Sequence, residues 1–284
     1  MTYQPVVIVG APRSGTNMLR DVLCQLPGVA TWPCDEINYI WRHGNVRYPS
    51  DELPAERVSP TIREYIRKHF NWVASHYSAT TVIEKTCANS LRVPFVDRVL
   101  PEAKYIYIHR DGIDATGSAT LRWTAELDLP YIMQKVRFVP VMDLPYYGVR
   151  YIWSRLYRLF SRERRLAFWG PALDGMSEIL ENYSLHEVCA LQWQRCVESA
   201  ESAFSDIDEE RVHRVSYESL VKDPIGELSK LLKFLNIEAS PSDISQSVAG
   251  VSSSSIGKGR ASLSEAEIIR LKTLIEPTLA RYGY

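Results

Sequence analysis

The sequence predicts an α/β fold: a three-layer sandwich with helices on both faces of a central, mainly parallel five-stranded sheet. Three observations predict it. Short apolar runs rich in β-branched and aromatic residues recur at 6–9, 81–84, 104–108 and 211–215, and a shorter one lies at 28–32. Between them lie stretches whose apolar residues fall three and four apart, the period of a helix with one buried face. Polar and charged residues gather just after the runs, where parallel strands end and ligands bind. At 284 residues the chain can bury one large core. Residues 1–284 therefore read as a single domain, with a helical and aromatic insertion at about 122–182.

The first strand, Val6-Val7-Ile8-Val9, runs into Gly10-Ala11-Pro12-Arg13-Ser14-Gly15-Thr16-Asn17. Met18, Leu19, Val22, Leu23 and Leu26 then trace a helix. The second strand ends in Pro33-Cys34-Asp35-Glu36, and a proline- and charge-rich connection at 49–60 precedes a helix at 61–77. The third strand ends at Lys85-Thr86, and Leu91, Phe95, Val96 and Val99 mark the helix after it. The fourth meets His109-Arg110-Asp111-Gly112 and a helix at 113–121. Beyond the looser stretch at 121–182, a helix at 183–204 leads to the fifth strand. Pro224 suits the first turn of a helix whose apolar face is Ile225, Leu228, Leu231, Leu232 and Leu235. Residues 252–260 read as a flexible loop, and Ser264-Glu265-Ala266-Glu267 as an N-cap with acids in the first turn of a last helix.

Composition excludes several classes. A net charge of −1 gives no field that recruits nucleic acid. No basic leader precedes a long apolar run, and no stretch reaches membrane-spanning length, so the chain is expected to be soluble and cytoplasmic. Cys24, Cys34, Cys87, Cys189 and Cys196 are odd in number and lack CxxC spacing, so reduced thiols are expected and neither zinc nor a disulfide framework is.

The Gly10–Gly15 turn has a chemistry of its own. A strand, a tight turn and a helix N-terminus in series aim backbone N–H groups and a positive dipole end at one point, which makes an anion site. Arg13 adds a planar cation. The spacing is that of the phosphate loop G-x-x-x-x-G-K-[ST], but Thr16 replaces the lysine and Asn17 the magnesium-holding hydroxyl. The turn suits a phosphate or sulfate that needs no metal, and it is poorly equipped for γ-phosphoryl transfer.

With these motifs in order, the chain resembles the sulfotransferases that use 3′-phosphoadenosine-5′-phosphosulfate (PAPS) and release the 3′,5′-bisphosphate PAP. Pro12-Arg13-Ser14-Gly15-Thr16-Asn17 is similar to that family's 5′-phosphosulfate loop. Tyr107-Ile108-His109-Arg110-Asp111-Gly112, with Ser118 eight residues after Arg110, is similar to its 3′-phosphate motif, in which the arginine and serine grip the phosphate. Val215-Ser216-Tyr217-Glu218-Ser219-Leu220 resembles a strand–helix segment near the nucleotide, which brings Tyr217 toward the adenine. Gly257-Lys258-Gly259-Arg260 resembles the late basic loop over the 3′-phosphate. Glu84-Lys85-Thr86 is similar to the segment after the third strand in the carbohydrate-sulfating branch. Glu36 sits where carbohydrate- and tyrosine-sulfating relatives carry a glutamate base.

The resemblance implies sulfation of a hydroxyl on a carbohydrate, lipid or small metabolite, without metal. Arg13, the loop N–H groups, Thr16 and Lys85 would stabilise charge, and Glu36 would take the hydroxyl proton. His43 is a rival base. Asp35 and Glu36 could instead cap a following helix, Lys85 could form an ordinary rim ion pair, and Tyr217 could serve core packing. His109 reads as a packed histidine. Two other functions stand beside this one: a phosphate-loop kinase, and a non-catalytic nucleotide-binding protein.

Residues 144–173 carry Arg150, Arg155, Arg158, Arg162, Arg164 and Arg165 against Glu163, with Tyr151, Trp153, Tyr157, Phe160, Phe168 and Trp169 among them. This stretch reads either as an amphipathic lid for an anionic or lipid-linked acceptor, in peripheral contact with a membrane, or as a solvated basic insertion. Under both readings it governs acceptor choice. Oligomeric state is not legible in the sequence.

Overall fold

In the computed structural model, the described residues are 2–123, 137–149, 152–153 and 169–284. Five strands, β1 (Gln4–Val9), β2 (Val29–Ala30), β3 (Thr81–Lys85), β4 (Lys104–His109) and β5 (Val212–Ser216), form one sheet. Its order is β2-β3-β1-β4-β5 and every pairing is parallel. Helices among the described residues include α1 (Thr16–Leu23), α2 (Asn38–Trp41), α3 (Pro60–His76), α4 (Val93–Val99), α5 (Gly112–Trp123), α6 (Met176–Asn182), α7 (Leu185–Phe204), α8 (Tyr217–Lys222), α9 (Pro224–Leu235), α10 (Pro241–Ser247), α11 (Lys258–Ala261) and α12 (Glu265–Arg281).

The two-residue period of the strands sorts the core into two faces. Val7 and Val9 of β1, with Tyr105 and Tyr107 of β4, pack against Phe70 of α3, Phe95 and Val96 of α4, and Phe204 of α7. Val6, Ile8, Ile106 and Ile108 point the other way, onto Leu19 and Leu23 of α1 and Leu228, Leu231 and Leu232 of α9. A sheet covered on both faces needs near-continuous apolar strands, which is why β1 reads PVVIV rather than alternating.

The order places β1 between chain segments that wind in opposite directions, so the turns after β1 and β4 diverge and open a crevice. Register fixes what lines it. Ile8 lies opposite Lys85, and His109 opposite Ser216, so the segments after β1, β3, β4 and β5 end at one rim.

The element ends follow local chemistry. The α7 helix starts after a Ser184–Glu187 capping box rather than at residue 183, and α9 opens with Pro224 in its first turn under an Asp223 cap. Residues 252–260 depart from the expected flexible loop. A 3₁₀ turn at Ser253–Ser255 leads into α11, because Gly257 takes φ 77° and the turn's N–H groups have a buried acceptor, described below. Of the insertion at 122–182, residues 124–136, 150–151 and 154–168 lie outside the described residues, and with them most of the 144–173 arginines. The described Ile152 and Trp153 are exposed.

Candidate active site

The loop after β1 meets α1 at Gly15, which holds φ 87° and caps the helix without a side-chain bond. The first-turn N–H groups therefore point out of the helix, free of intrahelical partners. No side chain fits at position 15, because a Cβ there would come within 2.4 Å of the Tyr217 ring. Arg13 adopts φ 69°, a left-handed conformation rare for a residue with a side chain. Its carbonyl accepts Arg110 Nη1 at 2.8 Å, and its Nε donates to Ser118 Oγ at 2.9 Å. Two residues that belong to separate motifs in the sequence are thus joined directly.

Positive charge is concentrated here. Burial, and then the neighbouring Arg122 and Arg110, lower the basicity of Arg13. Cations gathered this closely favour an anion between them. Ser14 is fully buried, and its Oγ has no hydrogen-bond partner among the described residues. A loop with an orphaned hydroxyl, outward N–H groups and clustered arginines fits a phosphosulfate.

Arg110 does more than face a ligand. It is buried, donates from Nε and Nη2 to Asp114 at 3.2 and 2.6 Å, and donates from Nη2 to the Ser255 carbonyl at 2.8 Å. Its guanidinium lies 4.3 Å from the Tyr217 ring centroid. Tyr217 is itself buried, its ring packed between Gly15 and Arg110.

Asp114 accepts the backbone N–H groups of Gly257, Gly259 and Arg260 at 3.0, 2.7 and 3.1 Å. Although burial opposes its charge, Arg110 and these amides hold its carboxyl below the usual range. Gly259 packs so tightly that a Cβ would lie 1.9 Å from the Asp114 carbonyl. The Gly257-Lys258-Gly259-Arg260 backbone is therefore committed to Asp114, and the side chains of Lys258 and Arg260 are what it can offer a ligand. Arg260 also donates to Asp111 at 2.7 Å.

The second half of the site lies after β2 and β3. Lys85, buried at the end of β3, donates to Glu36 at 2.9 Å and to Asp35 at 3.1 Å. Burial opposes its charge, but Glu36, Cys87 and Asp35 together hold the ammonium above its ordinary pKa. Glu36 also accepts the Cys87 N–H at 3.3 Å, and Cys87 Sγ lies 3.7 Å from Thr16 Oγ1, so the pair adjoins the loop. Asp35 also accepts from Arg20. The capping reading of Asp35 and Glu36 fails: α2 starts after Ile37 with no side-chain cap.

His43 has Nδ1 2.7 Å from Asp143 and its ring 3.9 Å from that of Tyr65. His109 is hydrogen-bonded to Tyr284, as a packed histidine should be.

Sequence reasoning missed Asp114 and the polar support behind Glu36. Asp114 carried a usable signal: a carboxylate four residues after Arg110 in the first turn of a helix. Glu84 is fully buried on β3 and accepts Thr86 Oγ1 at 2.5 Å and Asn89 Nδ2 at 2.7 Å, while Thr86 Oγ1 accepts the Ile37 N–H at 3.2 Å. Burial pushes the Glu84 carboxyl up to about 7. A raised carboxyl costs nothing where both states are protonated and costs most where the unfolded chain is ionised. The penalty is thus absent below about pH 4 and reaches about 3 kcal/mol above about pH 7. Glu84→Gln is expected to gain stability relative to wild type as pH rises from about 5 to about 8, read from urea midpoints; a constant difference would contradict the assignment.

The family model described as "Sulfotransferase family" matches residues 5–167 and 148–241. The chain belongs to the sulfotransferase family. It is an enzyme of the transferase class, and membership implies PAPS as co-substrate. Solved sulfotransferases share the fold of this one. The sulfotransferase domain from the curacin biosynthetic pathway has a TM-score of 0.56 at 14% identity, covering 97% of this chain and 98% of its own. That of the Synechococcus PCC 7002 olefin synthase has 0.54 at 14%, covering 100% and 96%. Mouse sulfotransferase SULT7A1, complexed with PAP, has 0.53 at 15%, covering 99% and 88%. No curated protein sequence matches the chain. Among the described residues no helix of this sulfotransferase is long and apolar enough to cross a membrane, and no group of His, Cys, Asp or Glu is arranged to hold a metal.

Proposed function

We propose that this sulfotransferase transfers the sulfuryl group of PAPS to a hydroxyl of a carbohydrate, lipid or small metabolite, by the glutamate-base route of the carbohydrate- and tyrosine-sulfating branch. The observation that carries it is the Glu36–Lys85 pair beside the loop, a carboxylate and a buried ammonium joined at 2.9 Å. When bound, PAPS supplies an activated sulfuryl group on a phosphate leaving group.

Arg13, Ser14, Gly15, Thr16 and Asn17 would hold the 5′-phosphosulfate. Arg110, Ser118, Lys258 and Arg260 would surround the 3′-phosphate, with Gly259 and Tyr217 shaping the wall. Lys85 would stabilise negative charge at the reacting oxygens. Glu36 would accept the acceptor hydroxyl's proton at a carboxylate oxygen. A carboxylate that loses an adjacent cation gains proton affinity, so sharing Lys85 with an incoming anion would strengthen Glu36 as a base. The residues at 144–173 would select the acceptor.

Calorimetric titration without magnesium tests the donor. Wild type is expected to bind PAP, and Ser118→Ala to bind it about 10-fold more weakly while holding adenosine 5′-phosphosulfate, which lacks the 3′-phosphate, as wild type does. A folded wild type that ignores PAP and binds ATP with magnesium would overturn the proposal.

A further inference from the structure

A line of hydrogen bonds leaves the 3′-phosphate side of the site and passes through Tyr284, a residue that no motif includes. Asp111 accepts Arg260 Nη2 at 2.7 Å through Oδ2, and the Ile113 N–H at 2.9 Å through Oδ1. The Asp111 N–H donates to Glu218 Oε1 at 3.1 Å. The other Glu218 oxygen accepts the Tyr284 hydroxyl at 3.0 Å, and that hydroxyl oxygen lies 2.9 Å from His109 Nδ1. A phenol has one proton to give. Given to Glu218, it leaves the Tyr284 oxygen to accept from His109, which fixes the direction of the whole line.

We infer that Tyr284 and Glu218 are positioning residues that set Arg260 for the 3′-phosphate, by fixing both the backbone and the carboxylate of Asp111. The inference rests on the assignment of Arg260 to that phosphate. Without the Tyr284 hydroxyl, Glu218 loses a donor and can rotate away from the Asp111 amide. Asp111 then holds one edge of the Arg260 fork less firmly. A guanidinium reads an oxyanion through a planar pair of N–H groups, so its orientation matters as much as its charge. The cost should fall on recognition of the 3′-phosphate and spare the rest of the nucleotide.

Titration of wild type, Tyr284→Phe and Glu218→Ala with PAP and, in parallel, with adenosine 5′-phosphosulfate tests this, with a thermal melt of each protein. Both variants are expected to bind PAP about 3- to 10-fold more weakly, to bind adenosine 5′-phosphosulfate as wild type does, and to keep the wild-type melting temperature. The two substitutions break the same link from opposite ends, so one that fails to fold leaves the other to decide. Unchanged PAP affinity overturns the positioning role, as does equal weakening of both ligands, which a merely structural defect would produce. Wild type that binds no PAP overturns the function proposed above and this role with it.

Discussion

Glu36→Gln is expected to lower kcat by about 10²- to 10⁴-fold, the usual contribution of a positioned base, while PAP affinity stays at the wild-type level. Glutamine keeps the shape and can still accept from Lys85 and the Cys87 N–H, both of which meet Oε1. It cannot take a proton from a hydroxyl. Turnover of radiolabelled PAPS with an acceptor found by screening gives kcat, and calorimetry gives the affinity. Loss of both together would make Glu36 a structural residue. Retained turnover would move attention to His43, whose Asp143 partner orients an imidazole as a base requires.

Asp51→Ala is expected to destabilise the protein by about 3–5 kcal/mol, the range for removing one partner of a buried ion pair. Asp51 is buried with Arg42, which donates at 2.9 Å, and with Arg92, which is fully buried. It also accepts the Ala172 N–H at 2.8 Å and Asn38 Nδ2 at 3.1 Å. Burial, with the neighbouring Arg42 adding to it, pushes Arg92 down to about 10 even with Asp51 beside it, so without that carboxylate two guanidinium groups would share a dry pocket. Urea unfolding would report the change. A cost below about 1 kcal/mol, the level of an exposed pair, would mean that the arginines escape to water.

How much of this was legible depended on the range of the interaction. The sheet was visible because PVVIV, TVI and YIYI form the apolar stretches of strands buried on both faces, and such strands are near-continuously apolar. The anion loop was visible because its glycines and Arg13 are adjacent in sequence. Lys85 and Glu36 could each be named, yet their contact spans 49 positions and depends on β2 lying beside β3. Residues 252–260 were misread for the same reason: serine and glycine suggest mobility, and nothing nearby reveals that Asp114, 143 positions from Gly257, will bind the turn. Arg110 shows the converse, since a motif suggests one role and the fold adds several bonds between the same side chain and its own chain.

The Asp114 cradle bears on kinetics as well as on shape. The amides of Gly257, Gly259 and Arg260 are satisfied by the protein itself, so the wall that carries Lys258 and Arg260 is in place before any nucleotide arrives. Association then has little chain to order, which spares the entropy that a closing flap would lose. Under the proposed assignment of Lys258 and Arg260, capture of a bisphosphate at this wall should follow diffusion and charge steering, with an ionic-strength dependence to match, rather than wait on a slow rearrangement.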